Sequence, residues 1–192
     1  VIHAVAYTHE HADHIFGLDD LRLMQFYLGG PLPLYCEAPV EARIRKSYDY
    51  AFQSATGLHR GAVPQLVIER ISIESFDALG AVITPIRLEH GPRFNVLGFR
   101  IGNVAYCTDV KRIPPESMEK LTGLDVLILD CLRREPHVTH FGIDEALAAA
   151  DALAPKKTLL THVSHDLEYE KTNRELPDGV DLAYDGQTVP LT

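Results

Sequence analysis

Four side chains able to bind metal ions lie within six residues near the start of the chain, namely His9, His11, Asp13 and His14. On an extended backbone, residues two apart point the same way, so His9 and His11 can face one metal ion. Where the chain turns into a helix, Asp13 and His14 can face a second ion. Imidazole and carboxylate ligands together suit zinc, iron or manganese. A histidine-rich surface turn is the alternative, but the cluster follows an apolar run and enters an amphipathic segment, which favours a metal site.

The segment from His9 to His14 also resembles a known family motif. Its sequence, His-Glu-His-Ala-Asp-His, matches the HxHxDH signature of the metallo-β-lactamase superfamily. The continuation over residues 15–21 resembles the phosphodiesterase branch, which includes the phosphoribosyl 1,2-cyclic phosphate phosphodiesterase, while the tRNA 3′-end endonucleases are more distant. The resemblance implies an α/β fold, the αββα sandwich of that superfamily. Family members have several strands before this motif, so we expect residues 1–192 to be a single hydrolase domain that lacks its N-terminal strands.

Three further side chains match the family's remaining metal ligands in order, and each follows an apolar, strand-like run. They are His90, Asp109 and His162. The resemblance implies that Asp109 bridges two ions, one bound also by His9, His11 and His90, the other by Asp13, His14 and His162. Lactamase relatives that use zinc often have cysteine as the bridging ligand. The carboxylate of Asp109 therefore favours the other hydrolase branches.

The resemblance further implies the cofactors and the chemistry, with two divalent metal ions, zinc or manganese, sharing a hydroxide. A metal ion lowers the pKa of its bound water to about 7, which makes hydroxide available at neutral pH. Asp13 would orient that hydroxide in addition to binding metal. His140 precedes an alanine-rich helix, as the family's general acid does, and would donate a proton to the leaving group. The alternative for His140 is a structural role at the start of that helix.

Four other side chains are candidates for contact with the substrate. Arg133 and Arg134 follow a strand-like run and could hold a phosphate group through bidentate hydrogen bonds, although arginine pairs in loops are more often solvated. His137 lies in the same segment. His165 resembles, in the phosphonate branch, a histidine that shares a separate structural zinc site with cysteines nearer the N-terminus. It is therefore a remaining zinc ligand, a residue left without that role, or a substrate contact.

Several functions fit this set of ligands. The leading hypothesis is hydrolysis of a phosphodiester in a small nucleotide or cyclic sugar phosphate. Hydrolysis of a thioester, lactone or lactam on the same fold is the alternative, because the same hydroxide attacks carbon. A non-catalytic metal-binding or nucleotide-binding protein is disfavoured, since no ligand of the family set is missing. A redox di-iron member is disfavoured by the complete His9 and His11 pair and by the absence of a flavin domain.

The elements that must position these residues alternate between strand and helix patterns, which indicates an α/β fold. Apolar and β-branched runs predict strands over residues 1–8, 32–36, 66–73, 81–88, 96–101, 103–107, 125–129, 158–161 and 182–191. Helical spacing and stop signals predict helices over residues 14–28, 39–52, 114–121 and 143–153. Turn-forming residues predict a loop over residues 54–64.

The amino-acid composition limits the kinds of substrate and partner that the protein is expected to bind. Lysine and arginine number 18, whereas aspartate and glutamate number 27, which gives a net charge of −9. This charge argues against binding of long nucleic acid and favours a small phosphate-containing substrate. No apolar run is long enough to predict a membrane span. Three cysteines without paired spacing favour a reducing cytoplasm. The oligomeric state stays open, a homodimer included.

Overall fold

The computed structural model describes residues 1–52 and 62–190 and divides into two compact units, Val1–Val82 and Ile83–Thr192. Most of the loop predicted over residues 54–64 lies outside the described residues, and so does the end of the strand predicted over residues 182–191. The expectation of a single domain over the whole chain stays a prediction. No helix among the described residues is both long and apolar enough to cross a lipid bilayer.

The first unit is built on a three-stranded parallel sheet with short helices. Its sheet consists, in spatial order, of β1 (Val5–Ala6), β2 (Leu32–Cys36) and β3 (Leu66–Arg70). Its helices are α1 (Ala12–Ile15), α2 (Met24–Leu28) and α3 (Ala38–Ser47), with 3-10 turns over Phe16–Leu23 and Asp49–Phe52. A further strand, β4 (Phe76–Ala78), comes at its end.

Burial explains why these elements form. Leu32, Leu34 and Cys36 alternate with less buried residues along β2, as a strand with one face on a core requires. Val40 and Ile44, four residues apart, turn the same side of α3 toward that core.

The continuous helix predicted over residues 14–28 is wrong in its middle, which forms the tighter 3-10 turns of Phe16–Leu23. Gly17, Asp19 and Asp20 fall in this stretch. Glycine and aspartate are poor residues for a helix interior, because glycine loses much backbone freedom and aspartate offers competing hydrogen bonds. Ile15 and Leu18 are nevertheless buried, as their spacing predicts.

The second unit contains a mixed sheet and three helices. Its strands, in spatial order, are β10 (Val180–Leu182), β9 (Lys157–Thr161), β8 (Val126–Asp130), β7 (Val104–Cys107), β6 (Asn95–Ile101) and β5 (Ala81–Glu89), the last beginning just before the unit boundary. Its helices are α4 (Pro115–Lys120), α5 (Ile143–Leu153) and α6 (Tyr169–Glu175). Its core includes Leu127 and Leu129 of β8, which are fully buried.

The directions of these strands decide where the site can lie. Strands β7, β8 and β9 are parallel, whereas β6 is antiparallel to both β5 and β7. Strand β5 therefore runs in the same direction as β7, β8 and β9. The carboxyl ends of these four strands meet at one edge of the sheet, and residues that follow them are brought close together.

The observed bounds of other helices and strands agree with the predicted bounds in some cases and differ in others. Helix α5 has the predicted bounds. The strand predicted over residues 1–8 is confined to Val5–Ala6, which pair with β2, and Tyr7 N–H adds one hydrogen bond to Tyr35 O at 2.9 Å. Of the strand predicted over residues 182–191, only the first residue belongs to β10, and residues 183–190 form no strand. The sequence reasoning missed β4 and α6, two elements of three and seven residues with weak periodicity.

Candidate metal centre

The first unit brings three of the predicted histidine ligands together. His9 Nε2 lies 3.0 Å from His11 Nδ1, and the ring centroids of His9 and His14 are 4.1 Å apart. His9 is buried, and its other nitrogen, Nδ1, lies 3.0 Å from the hydroxyl of Thr8. Ring nitrogens facing each other at this distance form the donor set that a cation would bind.

Helix α1 positions the next two predicted ligands of this unit. His11 is the residue before the helix, and its carbonyl accepts a hydrogen bond from His14 N–H at 3.1 Å. This turn places His14 Nε2 3.4 Å from the carboxylate of Asp13, which is largely exposed. The predicted change from extended chain to helix within the motif is therefore confirmed.

The second unit brings three more predicted ligands together around one buried carboxylate. Asp109 is 2% exposed, and its two oxygens face different imidazoles. Oδ2 lies 3.7 Å from His90 Nε2, whereas Oδ1 lies 3.4 Å from His162 Nε2. A carboxylate with one oxygen toward each of two histidines is suited to bridge two metal ions.

The strands of this unit place these ligands, since His90, Asp109 and His162 follow β5, β7 and β9 at the shared sheet edge. His90 Nδ1 lies 2.7 Å from the carbonyl oxygen of Thr139. A proton on Nδ1 would be donated to that oxygen, leaving Nε2 as the nitrogen able to bind a cation. His162 has a φ of 60°, a left-handed conformation that is uncommon for residues other than glycine.

Asp130 is a further candidate site residue that the sequence pattern did not predict. It ends β8 and is fully buried. Its Oδ2 accepts hydrogen bonds from His140 Nδ1 at 2.9 Å and from the backbone N–H of Val110 at 2.8 Å. Its Oδ1 lies 3.7 Å from His162 Nδ1. The available signal was an aspartate at the end of an apolar strand, which a hydrophobic environment accepts only when it is hydrogen-bonded.

His140 lies beside the predicted ligands, as expected for a residue that acts at the same centre. Its ring stacks on that of His162 with centroids 4.8 Å apart and is 4.7 Å from the ring of His90. Ligand atoms of Asp109, His140 and His162 also lie within 4.8 Å of one another, so distance alone makes His140 a further candidate ligand. The hydrogen bond to Asp130 distinguishes His140, because it engages one ring nitrogen with a carboxylate.

Electrostatics in this region are shaped by burial. Desolvation raises the pKa of the Asp130 carboxyl above its ordinary value, and the hydrogen bonds from His140 and from the Val110 N–H partly oppose that rise. The pKa of His137 is lowered, first by burial and then by the neighbouring charges of His140 and Arg133. Burial and these charges therefore favour the neutral form of His137.

The four predicted substrate contacts lie in different surroundings. Arg134 forms an ion pair with Glu175 of α6, and His165 has a 96% exposed side chain 3.5 Å from Asp166. The structure thus gives neither of them a place beside the histidines of its unit. Arg133 and His137 lie in the loop between β8 and α5, where the ring of His137 is 5.2 Å from that of His140.

Solved structures of both nearer and more remote similarity match this chain. A diphosphatase from the PhnP family has a solved structure that is 41% identical, with a TM-score of 0.87, covering 96% of this chain and 69% of that chain. The short form of human tRNase Z is 20% identical with a TM-score of 0.72, covering 98% of this chain and 80% of the other, a likeness in fold alone.

An octanoyltransferase of Porphyromonas gingivalis is 32% identical over 186 residues, which are 95% of this chain and 37% of that protein. This chain therefore spans little more than a third of the octanoyltransferase. The family described as the beta-lactamase superfamily domain matches residues 1–163. Because that match covers most of the chain and the diphosphatase is matched over two thirds of its length, the chain belongs to the beta-lactamase superfamily and has the fold of its metal-dependent hydrolases.

Proposed function

We propose that the protein hydrolyses a phosphoric ester or anhydride in a small nucleotide or sugar phosphate, with two divalent metal ions, zinc or manganese. The proposed ligands share imidazole or carboxylate donors and are His9, His11, Asp13, His14, His90, Asp109 and His162. Membership of the superfamily supports their joint action, and so does the close grouping of the ligands within each unit.

The observation that carries the proposal is the position of Asp109. Its carboxylate is buried, where an isolated negative charge would be costly. One oxygen faces His90 and the other faces His162, so a cation on each side would neutralise it. Imidazole nitrogens and carboxylate oxygens are the donors that zinc and manganese accept in proteins, so the residues present fit these ions.

The bound ions would supply a water molecule of lowered pKa and positive charge to stabilise an anionic transition state. In the hydrolysis, an oxygen from water forms the new bond to phosphorus, and the bond from phosphorus to the leaving oxygen breaks. The leaving oxygen takes up a proton, and His140 is the group proposed to donate it. Asp130 holds His140 Nδ1, which leaves Nε2 as the nitrogen that can carry this proton toward the substrate.

Chemistry at phosphorus is favoured over chemistry at carbon by the solved relative that is named a diphosphatase. A diphosphate linkage is therefore included in the proposal beside the phosphodiester. Thioester hydrolysis is the second candidate, because the octanoyltransferase relative is named for transfer of an acyl group. This support is weaker, since the chain spans 37% of that protein.

The cellular compartment of the protein and the size of its substrate are also proposals. The three buried cysteines, Cys36, Cys107 and Cys131, form no disulfide, which supports a reducing compartment such as the cytoplasm. The net charge of −9 supports a small substrate in place of long nucleic acid.

Metal analysis of the purified protein followed by a hydrolysis panel tests the proposed function. The panel compares bis(p-nitrophenyl) phosphate, a 2′,3′-cyclic nucleotide, ADP, an acyl thioester and a lactam, each with the zinc-loaded and the manganese-loaded protein. We expect two metal ions per chain and turnover confined to the phosphorus substrates. Hydrolysis of the thioester without hydrolysis of any phosphorus substrate would assign the protein to acyl chemistry. Fewer than two bound metal ions per chain would contradict the dinuclear centre.

A further inference from the structure

The loop between β8 and α5, residues 133–142, is closed at its base by backbone hydrogen bonds. Leu132 N–H donates to Phe141 O at 3.0 Å, and Ile143 N–H donates to Arg133 O at 3.0 Å. Farther along the loop, Thr139 O lies 2.7 Å from His90 Nδ1. These contacts fix the loop both to its own ends and to a proposed metal ligand.

Two glycines let this loop pack closely. A Cβ on Gly91, which has a φ of +80°, would lie 2.6 Å from Cγ2 of Thr139. A Cβ on Gly142 would lie 2.9 Å from the carbonyl oxygen of Glu135. The backbone of the loop is therefore held in place, as a site that must present side chains in a set geometry requires.

Arg133 is distinguished in this loop by its lack of an acidic partner. It is half-buried, and among the described residues it forms no ion pair with a carboxylate. Other cations of this unit do have such partners, for example Lys111 with Glu145 and Arg134 with Glu175.

The side chain of Arg133 is also held in position. Its Nη2 donates to Pro136 O at 3.0 Å, and its buried Nε has no hydrogen-bond partner in the described part of the chain. A fixed, partly desolvated and unneutralised guanidinium gains much free energy when an anion binds it.

His137 adds a second donor next to Arg133. Its Nδ1 lies 3.3 Å from the backbone N–H of Thr139 and 3.2 Å from the hydroxyl of the same residue. Accepting from that N–H leaves the proton of neutral His137 on Nε2, which can donate to a ligand. Arg133 Nη2 donates to the carbonyl oxygen of Pro136, the residue before His137, which brings the guanidinium to this turn of the loop. The ring of His137 lies 5.2 Å from that of His140.

We propose that Arg133 and His137 bind a second phosphate group of the substrate, on the leaving-group side of the bond that is broken. The inference rests on the proposed function, since the role of His140 defines that side. The substrate would then carry a second phosphate beside the scissile linkage, as a nucleoside diphosphate does. Arg133 would supply the charge, and His137 a neutral hydrogen-bond donor.

Steady-state kinetics with ADP and with bis(p-nitrophenyl) phosphate test this subsite, since only ADP carries a second phosphate. We expect Arg133→Ala to lower kcat/KM for ADP by about 10- to 100-fold, mainly through KM, because a hydrogen bond to a charged group is lost. The value for bis(p-nitrophenyl) phosphate should change by less than about threefold. Arg133→Lys should lose less than Arg133→Ala, since it keeps the charge but not the fork of donors.

Arg174→Ala is the matched control, because it removes one positive charge from the exposed surface of α6 and should alter neither substrate. Thermal unfolding and metal content verify that each variant is folded and loaded, and Arg133→Lys carries the test if Arg133→Ala does not fold. Equal loss on both substrates, or an unchanged KM for ADP, overturns the subsite alone. A wild-type protein inactive on both substrates instead contradicts the proposed function.

Discussion

At the scale of single residues, Asp130 is the buried carboxylate that contacts the proposed proton donor of the second unit. One oxygen accepts from His140 Nδ1, and the other lies 3.7 Å from His162 Nδ1. One buried carboxylate thus orients the proposed proton donor and lies near a proposed metal ligand. A carboxylate that hydrogen-bonds a histidine sets the tautomer and the ring orientation of that histidine.

Replacement of Asp130 by asparagine is expected to lower kcat by about 10²- to 10⁴-fold on substrates with poor leaving groups, the range typical of general acid catalysis. The reason is that a neutral amide at this position would no longer stabilise the protonated imidazole of His140. Activated p-nitrophenyl esters, which need little help from an acid, should lose much less. The measurement is kcat on an alkyl and a p-nitrophenyl phosphodiester, with metal content determined in parallel.

The matched variant for this prediction is His140→Ala, which should show the same difference between leaving groups. The double variant should be little worse than either single variant, since the two residues act as a unit. Equal losses on alkyl and p-nitrophenyl esters would remove the pair from the proton-donating role.

At the scale of elements, the shared direction of β5, β7, β8 and β9 gathers the polar residues of the second unit at one sheet edge. The sequence predicted these strands, because their apolar and β-branched runs are bounded by turn residues. It did not predict the packing of the 133–142 loop against Gly91, since a contact between residues almost fifty positions apart leaves no local pattern. The 3-10 turns over Phe16–Leu23 escaped prediction because apolar spacing indicates a helix without revealing its type.

Gly91→Ala should destabilise the protein by about 1–3 kcal/mol, since a non-glycine residue is strained at its positive φ and the new methyl group would meet Thr139. Gly80→Ala is the matched control, because Gly80 has the same φ of +80° but open space around it. The melting temperature of Gly91→Ala should fall below that of Gly80→Ala, and its activity should fall as the loop shifts. Equal melting temperatures would show that the loop tolerates the methyl group.

A charge network joins two elements of the first unit and gives a prediction about pH. Glu41 of α3 accepts hydrogen bonds from Arg45 at 2.8 Å and from Arg70, at the end of β3, at 2.5 Å. The hydrogen bond from Arg70, followed by that from Arg45, holds the pKa of Glu41 below its ordinary value. A carboxyl whose pKa is lower in the folded state stabilises that state above the unfolded pKa, near about 4.3.

Glu41→Gln should therefore be less stable than the wild type at pH 7, by up to about 1 kcal/mol because both arginines are largely exposed. The difference should disappear as the pH falls through the folded pKa of Glu41. Urea unfolding over a pH series from 7 downward measures it, with Glu119→Gln at an exposed position of α4 as the control that should change little across the series. A difference that persists in acid would assign the effect to packing.

At the scale of the whole molecule, the proposed metal ions link activity to stability. An ion that binds only the folded state stabilises it by about 2.7 kcal/mol when its free concentration is a hundred times Kd. Chelation should therefore lower the melting temperature, and added zinc or manganese should restore it in a concentration-dependent way. His11→Ala should reduce this gain, whereas Asp166→Ala, at an exposed acid outside the ligand set, should keep it. A melting temperature that does not respond to metal would contradict the metal centre.

The sequence by itself determined the membership of the superfamily and the candidate ligands. The spacing of His9, His11, Asp13 and His14 is local, so a short stretch of chain carries the pattern. The family match confirms the metallo-β-lactamase fold, while the number of ions, their identity and the substrate stay proposals.

Only the tertiary structure decided which residues pack beside those ligands and what surrounds His140, the proposed proton donor. The carboxylate of Asp130 reaches His140 because the 133–142 loop carries His140 back to the end of β8. Within the described ranges Arg133 lacks a carboxylate partner whereas Arg134 has Glu175, although the two arginines are neighbours in sequence. Burial and pairing depend on which distant segments pack around a side chain, and a linear pattern of residue types does not contain that information.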